Sequence, residues 1–125
     1  MPDQRLSTLF AYTTFHIGLY ATLTSGLFAI IAYTHEHLSK VLMPLLPYAK
    51  WTAVFVLIAG AAGGVIASNI PNYETFNSFS KDSLNVFGVR TFKYSVWAHI
   101  EHASFWIAVS IAAYAFLSFN GQPIR

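Results

Sequence analysis

Three long apolar runs, separated by polar breaks, set the pattern of this chain. The central one, Val54 to Ser68, carries no charge, and with its flanks it extends from Trp51 to Ile70. That is roughly the 20 residues an α-helix needs to cross the hydrocarbon core of a bilayer. The first run, Leu9 to Tyr33, is roughly 25 residues long, enough to span with tilt or to project past the hydrocarbon. A signal peptide would have a shorter apolar core and a small-residue cleavage site. Here Thr34-His35-Glu36-His37 follows directly, so the run reads as a retained transmembrane helix. Ser7 stands where a hydroxyl could cap its start. The third run, Ser95 to Phe119, is polar in its first two turns and apolar beyond, and Asn120-Gly121-Gln122-Pro123 stops it.

The breaks are of two kinds. Val41 to Tyr48 is apolar, but Pro44 and Pro47 oppose a regular helix and favour a turn along the interface. Residues 71–94 mix Phe76, Phe79, Phe87 and Phe92 with Lys81, Asp82, Arg90 and Lys93, which suits a segment lying among head groups. Gly88 argues for a turn inside it. The expected architecture is therefore all-α and polytopic: one transmembrane domain over 1–125, with spans at about 8–33, 49–70 and 95–119 and an interfacial segment at 71–94.

Composition sharpens this. Of the 125 residues, 55% are hydrophobic and only 10% charged, against roughly a quarter charged in a soluble domain. Aromatic residues reach 17%, as interfacial belts would require. The absence of cysteine excludes disulfides and thiolate chemistry. The net charge of +2 comes from scattered residues rather than a patch, so a nucleic-acid partner is not expected. With three spans, Arg5, Lys81, Arg90 and Lys93 share the N-terminal side and Lys40, Lys50 and Arg125 the other. The positive-inside rule then leans, four against three, to a cytoplasmic N-terminus.

Each span carries small residues at i, i+4, i+8: Gly18, Thr22 and Gly26 in the first; Gly60, Gly64 and Ser68 in the second; Ser104, Ala108 and Ala112 in the third. In lipid such ridges let backbones approach, so they are the expected helix-packing lines. Counting 100° per residue, Glu101 falls roughly 20° from the Ala108 line, on the packing face. Thr14 and Ser68 extend the other ridges to the same depth. A carboxylate inside a span marks a functional hypothesis, and a hydrogen-bond acceptor at a helix start is the plainer alternative. His16, His99 and His102 lie off the ridges, on faces that would otherwise meet lipid. They imply a second packing surface: a partner subunit, a second copy of the chain, or a cofactor, with haem or a metal ion as the candidates.

The sequence thus supports a small, non-catalytic membrane subunit of a larger energy-transducing or transport complex, in contact with lipid and with other subunits or its own copies. Two alternatives stand beside it. One is a haem- or metal-binding redox subunit using His16, His99 and His102. The other is a homo-oligomeric channel or membrane-inserted inhibitor lined by Thr14, Ser68 and Glu101.

Overall fold

A computed structural model describes residues 3–37 and 42–119, with only the backbone described for residues 35–37. The expected stop at Asn120–Pro123 lies outside the described residues. Among the described residues, three helices are long and apolar enough to cross a membrane: α1 (Gln4–His37), α2 (Leu46–Asn69) and, further along the chain, α4 (Tyr94–Ser118). Between α2 and α4 lie the short helix α3 (Phe76–Lys81) and two strands, β1 (Ser83–Val86) and β2 (Val89–Lys93).

The helix ends follow from local chemistry. α1 begins earlier than expected, because the cap is Asp3 and not Ser7. The Asp3 carboxylate accepts the Arg5 N–H at 2.9 Å, as an N-cap does for the second helical residue. Its other oxygen accepts the Phe76 N–H at 2.8 Å, so one side chain serves the starts of both α1 and α3. These bonds, Phe76 first, hold the Asp3 carboxyl below the usual carboxylate range. α2 starts at Leu46, three residues before the expected boundary, because Pro47 falls in the first turn, where its missing N–H has no helical partner to lose. A 3-10 turn, Met43–Leu45, leads into it.

The interfacial segment is more ordered than its composition suggests. Thr75 caps α3 by accepting the Ser78 N–H at 3.2 Å. β1 and β2 pair antiparallel, with Val86 opposite Val89 and an irregularity between Ser83 and Asn85. Phe87 and Gly88 make the two-residue turn, with φ of 49° and 84°. Positive φ at both central positions is what matches such a turn to the twist of its strands.

α2 is the middle helix, packed against α1 on one side and α4 on the other. Its buried line runs Thr52, Ala53, Val56, Ala59, Ala62, Gly63, Ile66 and Asn69, the three-and-four spacing of one helical face. Two apolar clusters flank the middle of the bundle. Tyr20, Val56, Ala59 and Ala108 form one, with Phe55 and Phe105 against it. At the end bearing the N-terminus, Leu6, Ile66, Ile70, Phe79 and Leu84 form the other. The second cluster ties the start of α1, the end of α2, α3 and the hairpin together, so the N-terminus and the long connection share one end of the bundle.

Candidate functional site

Between the two clusters, the contact of α1 with α4 is polar. Glu101, on α4 and 2% exposed, accepts a hydrogen bond at 3.0 Å from the Tyr20 hydroxyl of α1. The carboxylate lies beside Gly63 of α2: a Cβ there would stand 3.7 Å from Glu101 Cδ and 3.3 Å from Ile17 Cγ1. Gly63 therefore marks the close approach, where the absence of a side chain makes room for the carboxylate from α4 and the isoleucine from α1. Below this pair, the Tyr20 ring meets Phe105 at 5.5 Å.

One turn and two turns earlier on α1, His16 and Tyr12 continue the same face as Tyr20. The spacing of four places all three in a row. The rings of Tyr12 and His16 are 4.0 Å apart and those of His16 and Tyr20 6.0 Å. The Tyr12 hydroxyl approaches His102 Nε2 at 3.5 Å, long for a hydrogen bond.

All three candidate histidines bind their own helix in the same way. His16 Nδ1 is 2.8 Å from the Tyr12 carbonyl, His99 Nδ1 2.6 Å from that of Ser95, and His102 Nδ1 2.7 Å from that of Ala98. A carbonyl only accepts, so each Nδ1 carries the hydrogen and donates it. In the neutral imidazole the lone pair is then on Nε2. His99 and His102 are exposed and His16 is half-buried.

The structure gathers part of what the sequence suggested. Glu101 is buried on the packing face, and Ser104 and Ala108 lie buried with it on α4. Its hydrogen-bond partner is Tyr20. Thr14 and Ser68 are exposed, and Ser68 donates to the Val65 carbonyl of its own helix. On α2 the line of close approach is rotated from the expected ridge. A Cβ at Gly60 would stand 3.6 Å from the Tyr20 side chain, but one at Gly64 would meet nothing within 4 Å. The same open space surrounds Gly18 and Gly26, while Thr22 is exposed and donates to the Gly18 carbonyl. Ala112 is exposed and lines a groove of about 270 Å³ with Leu27, Thr52 and Phe116. Small residues permit close packing, but the large partners Tyr20 and Ile17 decide which of them are used.

Sequence reasoning missed Tyr12, Tyr20 and Gly63. The row Tyr12-His16-Tyr20 at intervals of four was a legible signal of one polar-aromatic face. Among the described residues, no three His, Cys, Asp or Glu side chains gather closely enough to hold a metal ion. Compared with models of protein families, with curated proteins and with solved structures, the chain shows no match.

Proposed function

We propose that this chain is a small, non-catalytic integral membrane subunit of a larger membrane complex, such as an energy-transducing or transport assembly, with its N-terminus in the cytoplasm. The observation that carries the reading is the outer face of α4. His99 and His102 are exposed there, and their Nδ1 hydrogens are already committed to their own helix. Exposed in this way, His99 Nε2 is left as an acceptor, while His102 Nε2 has only the Tyr12 hydroxyl of α1 at 3.5 Å, long for a hydrogen bond, and an imidazole facing hydrocarbon is costly. A neighbouring transmembrane segment with hydroxyl or amide donors would satisfy them.

Purification in a mild detergent tests this directly. Stoichiometric partners should co-purify with the chain and be lost from a His99→Leu, His102→Leu double variant that remains folded. A chain that runs alone under conditions mild enough to keep other complexes intact would refute the proposal. Orientation is tested by placing single cysteines at Asn77 and Gln122. An impermeant thiol reagent should reach Gln122 from outside the cytoplasm and Asn77 only from within it.

A second reading rests on the same histidines. An Nδ1–H anchored on a backbone carbonyl is the arrangement that presents Nε2 to a metal or haem iron. The remaining ligands would come from a partner or a second copy. A Soret band or stoichiometric metal in the purified complex, lost on His16→Leu or His102→Leu, would place this reading first.

A further inference from the structure

The hairpin between α3 and α4 holds a residue that local preference alone disfavours. Phe87 occupies the first position of the turn with φ of 49°, a conformation that asparagine or glycine adopts readily and a bulky side chain rarely does. Its side chain is fully exposed and rests on none of the other described residues. Val89 and Phe92, on the following strand, are also largely exposed. A strained turn presenting an uncovered aromatic ring points to something outside the chain that covers it.

The position of the hairpin identifies that cover. Its two strands are fixed to two different membrane-length helices. At the β1 side, Asn69 in the last turn of α2 donates to the Asn85 carbonyl at 2.8 Å and accepts the Asn85 N–H at 2.9 Å. On the β2 side, Lys93 passes directly into Tyr94, the first residue of α4. There the Trp97 indole donates to Thr91 at 3.1 Å, and the Trp97 ring meets Phe92 at 5.9 Å. A ribbon held at both places lies across the helix ends and does not stand away from them. Phe87 follows Asn85 by two residues, so about 7 Å of extended chain separates it from the level at which α2 ends. That is the depth at which tryptophan and tyrosine concentrate in membrane proteins, and at which the phenylalanines of interfacial segments are buried. Residues 83–93 also contain Lys93 and Arg90 and no acid, with the exposed Arg90 guanidinium 3.4 Å from Asp82 just ahead of β1. An aromatic tip with cations behind it has the character of a segment seated among anionic phospholipid head groups.

We infer that the Phe87 hairpin is a lipid-anchoring wedge. Phe87 and Val89 enter the interfacial zone of the bilayer, Arg90 and Lys93 contact anionic head groups, and the anchor fixes the depth of α2 and α4. The inference requires only that these helices cross the membrane, and it does not depend on the subunit role proposed above.

The absence of cysteine allows a clean test. The full chain with Val89→Cys, labelled with an environment-sensitive fluorophore, is reconstituted alone into vesicles of phosphatidylcholine and phosphatidylglycerol. It is compared with the same protein carrying Phe87→Asn. Asparagine tolerates positive φ, so the turn is retained while the aromatic ring is removed. With Phe87 present, nitroxide lipids labelled near the head group should quench the fluorophore several-fold more than aqueous iodide does. The Asn variant should reverse that order. Arg90→Gln with Lys93→Gln should abolish the difference between these vesicles and pure phosphatidylcholine ones. Iodide-accessible fluorescence that Phe87→Asn does not alter would overturn the inference. It would mean that the tip lies in water, and the subunit proposal would stand untouched.

Discussion

Gly63 is the position where the packing of this bundle is most exposed to a single substitution. An added Cβ would lie 3.3 Å from Ile17 Cγ1, tight enough to displace that side chain by a few tenths of an ångström, and 3.7 Å from Glu101 Cδ. Gly63→Ala should therefore be nearly neutral, because the Ile17 side chain can move and alanine favours the helix. Gly63→Leu has no such outlet. Its side chain must push α1 or α4 away from α2, at about 1–3 kcal/mol for overpacking. Separating α1 from α4 also stretches the 3.0 Å Tyr20–Glu101 bond, whose loss inside a membrane protein costs about 1 kcal/mol more. The control is one residue away. A Cβ at Gly64 meets nothing within 4 Å, so Gly64→Leu should be neutral or slightly stabilising. This reverses what the Gly60-Gly64-Ser68 ridge suggested. Unfolding titrations in mixed micelles of mild detergent and dodecyl sulfate would measure all three variants. Equal losses for Gly63→Leu and Gly64→Leu, or no loss at Gly63→Leu, would refute the assignment of the close approach.

Other expectations follow from the same contacts. Tyr20→Phe removes the donor and leaves a buried carboxyl oxygen without a partner, so it should cost about 1–2 kcal/mol. Glu101→Gln retains a carbonyl acceptor and should cost clearly less by the same titration; an equal or larger loss would show that the charge itself is structural. Asn69→Ala removes both bonds to Asn85 and should speed amide hydrogen exchange over residues 83–93 by tenfold or more, with the exchange of the α2 core unchanged. Asp3 contributes a pH-dependent tether. Its folded pKa is lowered, so the stabilisation is complete above the unfolded value of about 3.9 and is lost as pH falls through the lower folded value. Asp3→Asn should therefore flatten the acid limb of stability against pH, and a limb identical to that of the unsubstituted chain would exclude this role.

Run length and charge content determined the number and approximate limits of the membrane-length helices, because crossing a bilayer demands about 20 apolar residues whatever the surroundings. Pro44 and Pro47 placed the break ahead of the second span, because the ring fixes φ and removes a donor, although Pro47 itself is taken into the first turn of α2. Glu101 could be placed on the packing face by angle alone, since the direction of a side chain around a helix is set by the backbone.

Three things were not legible. Asp3 caps α1 through the nearby Arg5 N–H, but that the same carboxylate also accepts the Phe76 N–H at the start of α3 could not be read from the chain order. The segment 71–94 gained a helix and a hairpin because Leu84 and Phe79 found a buried cluster made by Leu6, Ile66 and Ile70, residues remote in the chain. The choice of Gly63 over Gly64 depended on where Ile17 and Glu101 arrived. Local pattern fixes which residues can turn inward on a helix. Which small residue becomes the contact depends on the rotation of each helix about its axis, and that is set by the large side chains of the neighbouring helices.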